Sequence, residues 1–368
     1  MLKRLYVDNY KCLVNFEYKP GKLQLILGGN GTGKSSVFEV LALLRSFLLD
    51  GTTTKQLFHA RTLTRWHNRT KQTFEIDIDG NGGVYHYNLI IEFLLQENKN
   101  RVFHEELSFN GNPIFISNLG EAQLFRDDNT QAMSFLLDWS RSGFTLLSER
   151  SDNARLNWFL DWVSHLYCFQ IDPHQMLSMS DQEEVTPQQN LANYASWYRH
   201  LIQEEPNTYS TLRVYLKHIF DDFDSLSLMK LGENSRILKA EFDSENVKNV
   251  KFDFEELSDG QRTLIGLYTL LAVMKEKPMT LCIDEPDNFI MLAEIQPWLM
   301  ELQDVSEEHG SQVLLISHHP ELINMLVPID AIHFSRENGG PTRVKPFTTE
   351  GKGSLPPAEI IARGWDNE

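Results

Sequence analysis

Gly28-Gly29-Asn30-Gly31-Thr32-Gly33-Lys34-Ser35 satisfies the pattern GxxxxGK[ST]. Glycines at this spacing let a backbone wrap a phosphate chain, with successive N–H groups turned inward and the next helix presenting its positive end. Lys34 then reaches the β- and γ-phosphates, and the Ser35 hydroxyl takes Mg²⁺. Such a loop needs an acidic partner at the end of a neighbouring strand, and Thr280-Leu281-Cys282-Ile283-Asp284-Glu285 supplies one. Asp284 suits the Mg²⁺ shell, and Glu285 can polarise an attacking water as a general base. Leu257-Ser258-Asp259-Gly260-Gln261-Arg262 opens a helix 27 residues before Asp284, and Ser317-His318-His319-Pro320 follows the apolar run Val313–Ile316. Ser258, Gly260 and the helix start at Gln261 can bind a γ-phosphate, though not that of their own chain's loop if the two segments lie at opposed surfaces. His318 can sense a γ-phosphate from the end of its strand. Taken singly, a strand end before Pro286, an N-cap turn and a His-His-Pro loop are ordinary features.

The elements that must carry these residues follow from periodicity. Leu5–Val7 and Leu23–Leu27 read as strands, the second ending in the glycine cluster. A helix follows from Ser35, with Val37, Phe38, Leu41, Leu44 and Leu48 at helical spacing. Residues 73–95 alternate around Gly80-Asn81-Gly82-Gly83, which predicts a β-hairpin. Residues 120–220 are Leu- and Trp-rich and poor in Gly, which predicts a mainly helical subdomain with Trp139, Trp158, Trp162 and Trp197 packing inside it. Alternation over 225–255 predicts strands. Beyond that come a helix at 261–275, a strand at 279–283, a helix at 292–304 and a strand at 312–316. Strand–helix alternation at both ends around a distinct middle predicts one α/β domain with a large insertion. The expected division is a nucleotide-binding lobe of residues 1–115 and 250–350, a mainly helical insertion of 116–249 ending in strands, and a tail of 351–368. Gly339 to Pro357 reads as a terminal hairpin and an extended tail.

Composition narrows the classes. The 368 residues hold 34 Lys+Arg against 51 Asp+Glu, a net charge of −17, with 41% hydrophobic residues and three cysteines. Cys12, Cys168 and Cys282 form no CxxC pair, which excludes a disulfide scaffold or zinc ribbon and fits a reducing cytosol. No apolar run approaches the ~18 residues of a membrane span, and Met1-Leu2-Lys3-Arg4 leads into no signal-peptide core. The acidic balance argues against a surface coated in nucleic acid.

The order phosphate loop, Leu-Ser-Asp-Gly-Gln, strand-Asp-Glu, strand-Ser-His resembles that of ABC-type ATPases, in particular the soluble branch with RecF, SMC heads and OLD-family ATPases. Asn30 within the glycine loop, Glu39 on the next helix, Asp284-Glu285-Pro286 and Ser317–Pro320 carry the resemblance, which covers residues 1–50 and 250–335. It implies an α/β P-loop NTPase of the ABC-ATPase head type: a mixed sheet with helices, a helical insertion lobe, and no coiled coil. It implies ATP and Mg²⁺ as cofactors, ATP hydrolysis, and an ATP-dependent head-to-head homodimer or higher oligomer. Each nucleotide would then lie between one chain's Gly28, Asn30, Gly31, Thr32, Gly33, Lys34, Ser35 and Ser36 and the other's Ser258, Gly260 and Gln261. Carried over by residue, Lys34 and Ser35 bind phosphate and metal, Asp284 the metal, Glu285 the water and His318 the γ-phosphate. Gln72, before the Phe74 strand, is the candidate glutamine-loop contact to the metal.

The chain departs from that pattern in two places. Asp259 replaces the first glycine of the usual Leu-Ser-Gly-Gly-Gln and sets a carboxylate near a phosphate unless it turns away. Asp287-Asn288-Phe289-Ile290-Met291-Leu292 lacks the histidine that relatives often carry there, leaving Asp287 and Asn288 as contacts across a dimer.

The charge is unevenly spread. Between Gly51 and Phe74 there is no acid, while Lys55, Arg61, Arg65, Arg69 and Lys71 give +5, interleaved with His59, Trp66 and His67. The segment faces DNA or an acidic partner surface, or it is an exposed loop that pairs with the acidic remainder. His165, Cys168 and His174 read as a core cysteine and two ordinary histidines rather than a metal set. Asp221, Asp222 and Asp224 read as a solvated face rather than a nuclease cluster.

The expected function is a cytoplasmic ATPase whose dimerisation regulates DNA processing or a separate effector, such as a TOPRIM-type nuclease, in bacterial anti-phage defence. A RecF-like DNA-repair ATPase is the alternative. A transporter ATPase subunit fits less well, because 224 residues separate Lys34 from Ser258. A non-hydrolysing scaffold, with turnover spoiled by Asp259, is a third reading.

Overall fold

The computed structural model describes residues 1–147, 152–243, 248–349 and 355–364. The chain divides into two compact units, Met1–Tyr167 with Leu326–Glu368, and Cys168–Met325.

The first unit opens with β1 (Leu2–Asp8), β2 (Phe16–Tyr18) and β3 (Leu23–Gly28). All of β3 but its last residue is buried, as a strand covered on both faces must be. Helix α1 (Lys34–Leu49) follows the glycine loop and buries Val37, Phe38, Leu41, Leu44 and Leu48, the residues whose spacing marks it. A single turn α2 (Thr54–Leu57) leads to β4 (Lys71–Gly80) and β5 (Gly83–Leu94). Asn81 and Gly82 both take positive φ between them, the turn whose twist matches a hairpin. A meander continues through β6 (Lys99–Phe109), β7 (Asn112–Asn118), β8 (Glu121–Phe125) and β9 (Gln131–Leu136). These make an eight-stranded sheet in the order β2-β1-β4-β5-β6-β7-β8-β9.

The start of the stretch expected to be helical is thus strand, and helices begin at α3 (Ala154–Ser164). The outer strand β9 has no buried residue, so its sequence carries no apolar alternation. Trp158 of α3 stacks on Tyr85, ring centroids 4.9 Å apart. Trp139 departs from its expected packing: it is 51% exposed, with Arg101 over its ring. Glu105 of β6 is buried and accepts hydrogen bonds from Tyr87 Oη, Ser142 Oγ and the Gly143 N–H, which ties the 142–143 loop to the sheet.

Strand β10 (Leu166–Phe169) carries the chain into the second unit, where β11 (Met179–Ser180), α4 (Tyr194–Glu204) and α5 (Pro206–Ile219) follow. Strands β12 (Phe223–Lys230), β13 (Arg236–Phe242) and β14 (Val250–Asp253) form an antiparallel sheet with β11. Helix α6 (Asp259–Glu276), β15 (Thr280–Asp284), α7 (Leu292–His309) and β16 (Gln312–Ile316) complete the alternation read from the sequence. β15 and β16 are parallel and wholly buried, with Asp284 opposite Ile316.

After α8 (Pro320–Leu326) the chain forms β17 (Ala331–Ser335) and β18 (Arg343–Pro346), an antiparallel hairpin. β17 also lies parallel to β3, with Phe334 beside Gly28. The tail expected to be extended carries a short helix, α9 (Pro357–Ala362), while its residues 351–354 and 365–368 lie outside the described residues. Among the described residues no helix is long and apolar enough to cross a membrane.

Candidate functional site

The glycine loop sits where β3 ends against β17. Gly28 has φ 138°, and a Cβ there would stand 2.2 Å from the Phe334 carbonyl oxygen, so only glycine lets the two strands close at this point. Gly33, at φ 98°, is the N-cap of α1 and offers no side-chain acceptor to the helix's first turn, whose positive end faces the glycine loop. The Lys34 ammonium lies across the loop and donates to the carbonyls of Gly28 (2.6 Å) and Gly29 (3.1 Å). Thr32 Oγ1 also donates to the Gly29 carbonyl, at 2.8 Å.

Two more loop carbonyls are held from the β17–β18 turn. Arg336 Nη1 donates to the Gly31 carbonyl at 2.9 Å, and Thr342 Oγ1 to that of Thr32 at 2.8 Å. Neither residue carries a signal that sequence reading detects, since they follow their targets by 305 and 310 positions. Asn30, Gly31 and Ser35 are exposed, and Ser36 is half-buried. A glycine cradle, an uncapped helix start and an ammonium held across it fit a phosphate chain.

Gln72 lies in β4, fully buried. Its amide donates to the Asn9 carbonyl (2.9 Å) and Thr62 Oγ1 (3.0 Å), and its Oε1 has no hydrogen-bond partner. Glu39 pairs with Lys11.

In the second unit Asp284 ends β15, 8% exposed. Glu285 has φ 53°, a conformation that costs an L-residue roughly 1–2 kcal/mol. Its N–H donates to the Ile316 carbonyl at 2.8 Å and its Oε2 accepts from Asn288 Nδ2 at 2.8 Å. Strain at the residue marked as general base is the kind that surrounding structure sustains at sites of chemistry. Ser317 Oγ donates to Asp287 (2.6 Å) and accepts from the His319 N–H (2.9 Å), while His318 is exposed. The carboxylate of Asp284 and the hydroxyl of Ser35 are hard oxygen donors of the sort Mg²⁺ takes, and Mg²⁺ is ordinarily held by one or two carboxylates plus phosphate oxygens.

Ser258 caps α6 by accepting from the Gln261 N–H at 3.2 Å, and Gln261 Oε1 accepts from the Ser258 N–H at 3.0 Å. This reciprocal box fixes the turn. Asp259 is turned back along the helix: its Oδ1 accepts from Arg262 Nη2 at 2.6 Å and lies 3.6 Å from His174 Nδ1. Gly260 sits in the first turn, close under the Phe289 carbonyl.

Of the five cations in the acid-free segment, Arg69 pairs with Asp8 (3.2 Å), and Lys71 pairs with Glu92 (3.6 Å) and lies over Phe103. Lys55, Arg61 and Arg65 are exposed, without an ion pair among the described residues. The other constellations are spread out. His165 bonds the Asp161 carbonyl, Cys168 is buried, His174 faces Asp259, and Asp224 pairs with Arg213 and Lys217. Among the described residues no group of three or more His, Cys, Asp or Glu is arranged around a metal.

A family model described as "AAA domain, putative AbiEii toxin, Type IV TA system" matches residues 25–324. Among curated proteins none matches the sequence. Two solved structures are similar over nearly the whole chain. One is the SMC head domain from Thermotoga maritima, at 14% identity and TM-score 0.47, covering 94% of this chain and 99% of that one. The other is the Smc head domain with an extended coiled coil bound to the C-terminal domain of ScpA, derived from Pyrococcus furiosus. It has 12% identity and TM-score 0.57, with 99% of each chain covered. The second likeness is one of fold, mixed α/β with several sheets, as expected for the head type of P-loop NTPase.

Proposed function

Because this chain belongs to the family described as "AAA domain, putative AbiEii toxin, Type IV TA system", we propose that it binds and hydrolyses ATP with Mg²⁺, and that ATP-bound copies pair to control a separate effector. The observation that carries this reading is the glycine loop, with Lys34 held across it and its helix start uncapped.

In this reading Lys34 and the N–H groups of Gly31 to Ser36 hold the phosphate oxygens. Ser35 and Asp284 are the metal's protein ligands, and the unpartnered Oε1 of Gln72 is an acceptor left over for its shell. Bound Mg²⁺ withdraws charge from the phosphate oxygens. Glu285 orients the attacking water and accepts its proton, and His318 donates to the terminal phosphate. Ser258, Gly260 and Gln261 of a second copy close over the nucleotide, with Asp287 and Asn288 as contacts across the pair.

The family's description favours a defence-type role in bacteria over housekeeping repair. The effector would be a separate protein, such as a TOPRIM-type nuclease. The unpaired Lys55, Arg61 and Arg65 are the surface to meet DNA or an acidic partner, in a cytoplasmic setting.

Phosphate release by the wild type, lost in Lys34→Ala and in Glu285→Gln, tests the enzyme. Light scattering tests the pairing, with Glu285→Gln expected to accumulate dimers in ATP and Mg²⁺. Monomers under those conditions would overturn the pairing, and undiminished phosphate release by Lys34→Ala would overturn the site.

A further inference from the structure

Arg336 lies in the turn after β17 and gives N–H groups to three carbonyls: Gly31 at 2.9 Å, Gly339 at 2.9 Å and Gly340 at 2.7 Å. Its guanidinium carbon stands 5.3 Å from the centre of the Trp66 ring. A guanidinium carries its donors in one rigid plane, so three carbonyls fix that plane, and an indole against its face adds a cation–π contact that holds it there. Trp66 is otherwise unexplained. It is 43% exposed and belongs to the acid-free segment, outside every motif of the nucleotide site.

What Arg336 holds matters because a peptide unit is planar and trans. Fixing the Gly31 carbonyl toward Arg336 fixes the Thr32 N–H on the opposite side of the chain, where it donates to the Gly29 carbonyl at 3.4 Å and closes the turn of the loop. Thr342 does the same for the Thr32 carbonyl, and hence for the Gly33 N–H. Glycine at 31, with φ 75°, has little intrinsic preference for one peptide orientation, so an external clamp decides it.

We propose that Arg336 is a positioning residue that holds the glycine loop in its phosphate-binding shape, and that Trp66 acts on nucleotide affinity through Arg336. The proposal rests on the reading that the Gly28–Ser36 loop binds ATP. It adds that a residue of the cationic segment sets how tightly that loop holds its ligand.

The test measures ATP affinity by titration calorimetry, and KM and kcat by phosphate release. Arg336→Ala should raise the ATP Kd and KM about tenfold, with kcat changed less than about threefold, because a uniform binding interaction is lost. Arg336→Lys should stay at least about threefold weak, since an ammonium cannot hold three carbonyls in a plane. Trp66→Ala should weaken binding about threefold and Trp66→Phe should restore it. The double variant Arg336→Ala/Trp66→Ala should bind like Arg336→Ala alone, because the proposal has Trp66 act on the loop through Arg336. Should Arg336→Ala fail to fold, Trp66→Ala and Arg336→Lys carry the test. Lys34→Ala, run alongside, separates the two readings. Wild-type affinity in Lys34→Ala would overturn the site itself. Loss in Lys34→Ala with wild-type affinity in Arg336→Ala or Arg336→Lys would overturn the role of Arg336 alone. Additive effects in the double variant would overturn the route from Trp66.

Discussion

The carboxylate of Asp259 accepts from Arg262 Nη2 at 2.6 Å, one helical turn further on. The charge that replaces a glycine in this turn is therefore met by a buried cation of its own helix and drawn away from the space beyond the N-cap. Asp259→Asn should accordingly leave ATP turnover within about threefold of wild type, as removal of a charge already neutralised must. Arg262→Ala should lower turnover more, because it frees the carboxylate. Adding Asp259→Asn to Arg262→Ala should recover most of that loss, measured as phosphate release under saturating ATP.

Glu285 occupies a backbone conformation that favours glycine. Glu285→Gly should be more stable than Glu285→Ala by about 1 kcal/mol, read from denaturant midpoints, because both lose the Asn288 contact and only alanine keeps the strain. Both should lose hydrolysis. Stability recovered at the expense of activity is the expected mark of strain held for function.

Glu105 accepts three hydrogen bonds in the eight-stranded sheet, yet burial pushes its carboxyl above the ordinary range against the pull of those donors. A carboxyl raised in the folded state favours the protonated fold. Its contribution is fully present below the unfolded pKa of about 4.3 and is lost as pH rises through the folded value. Thermal unfolding from pH 4 to 7 should show that loss in the wild type and not in Glu105→Gln. At neutral pH Glu105→Ala should cost about 2–4 kcal/mol, since it leaves Tyr87, Ser142 and Gly143 with unpaired buried donors.

Lys55, Arg61 and Arg65 are the free cations of the acid-free segment, whereas Arg69 and Lys71 are already paired. The double reversal Arg61→Glu/Arg65→Glu should weaken binding to DNA or to an acidic partner about tenfold and flatten its salt dependence. Arg69→Glu should do less to binding and more to stability, because it sets two carboxylates against each other at Asp8. Unchanged binding in the double reversal would leave the segment an ordinary solvated loop.

Much of the candidate site was legible because its pattern is local. A glycine run, a lysine and a helix start occupy consecutive positions, and strands such as β15 and β16 are short apolar runs whose burial leaves no other reading. The meander beyond β7 was not legible. β9 buries none of its residues and shows no alternation, and β8 alternates over only five residues, Glu121 to Phe125, too short a run to stand out within a Leu- and Trp-rich stretch. Trp139 misled for a different reason: an aromatic residue's type does not reveal whether it packs in a core or lies exposed in a turn beside Arg101. Arg336 and Thr342 were invisible because nothing near them in the sequence differs from an ordinary turn. Their meaning comes only from the pairing of β17 with β3.

That pairing also has a bearing on biosynthesis. The strand beside the glycine loop and the two side chains that hold its carbonyls emerge from the ribosome some 300 residues after the loop itself. A nascent chain of even 325 residues has the whole motif and lacks the clamp. Contacts this distant in sequence form slowly. If Arg336 and Thr342 hold the loop as proposed, the loop takes its working shape only after the strand that follows it by some 300 residues has been made.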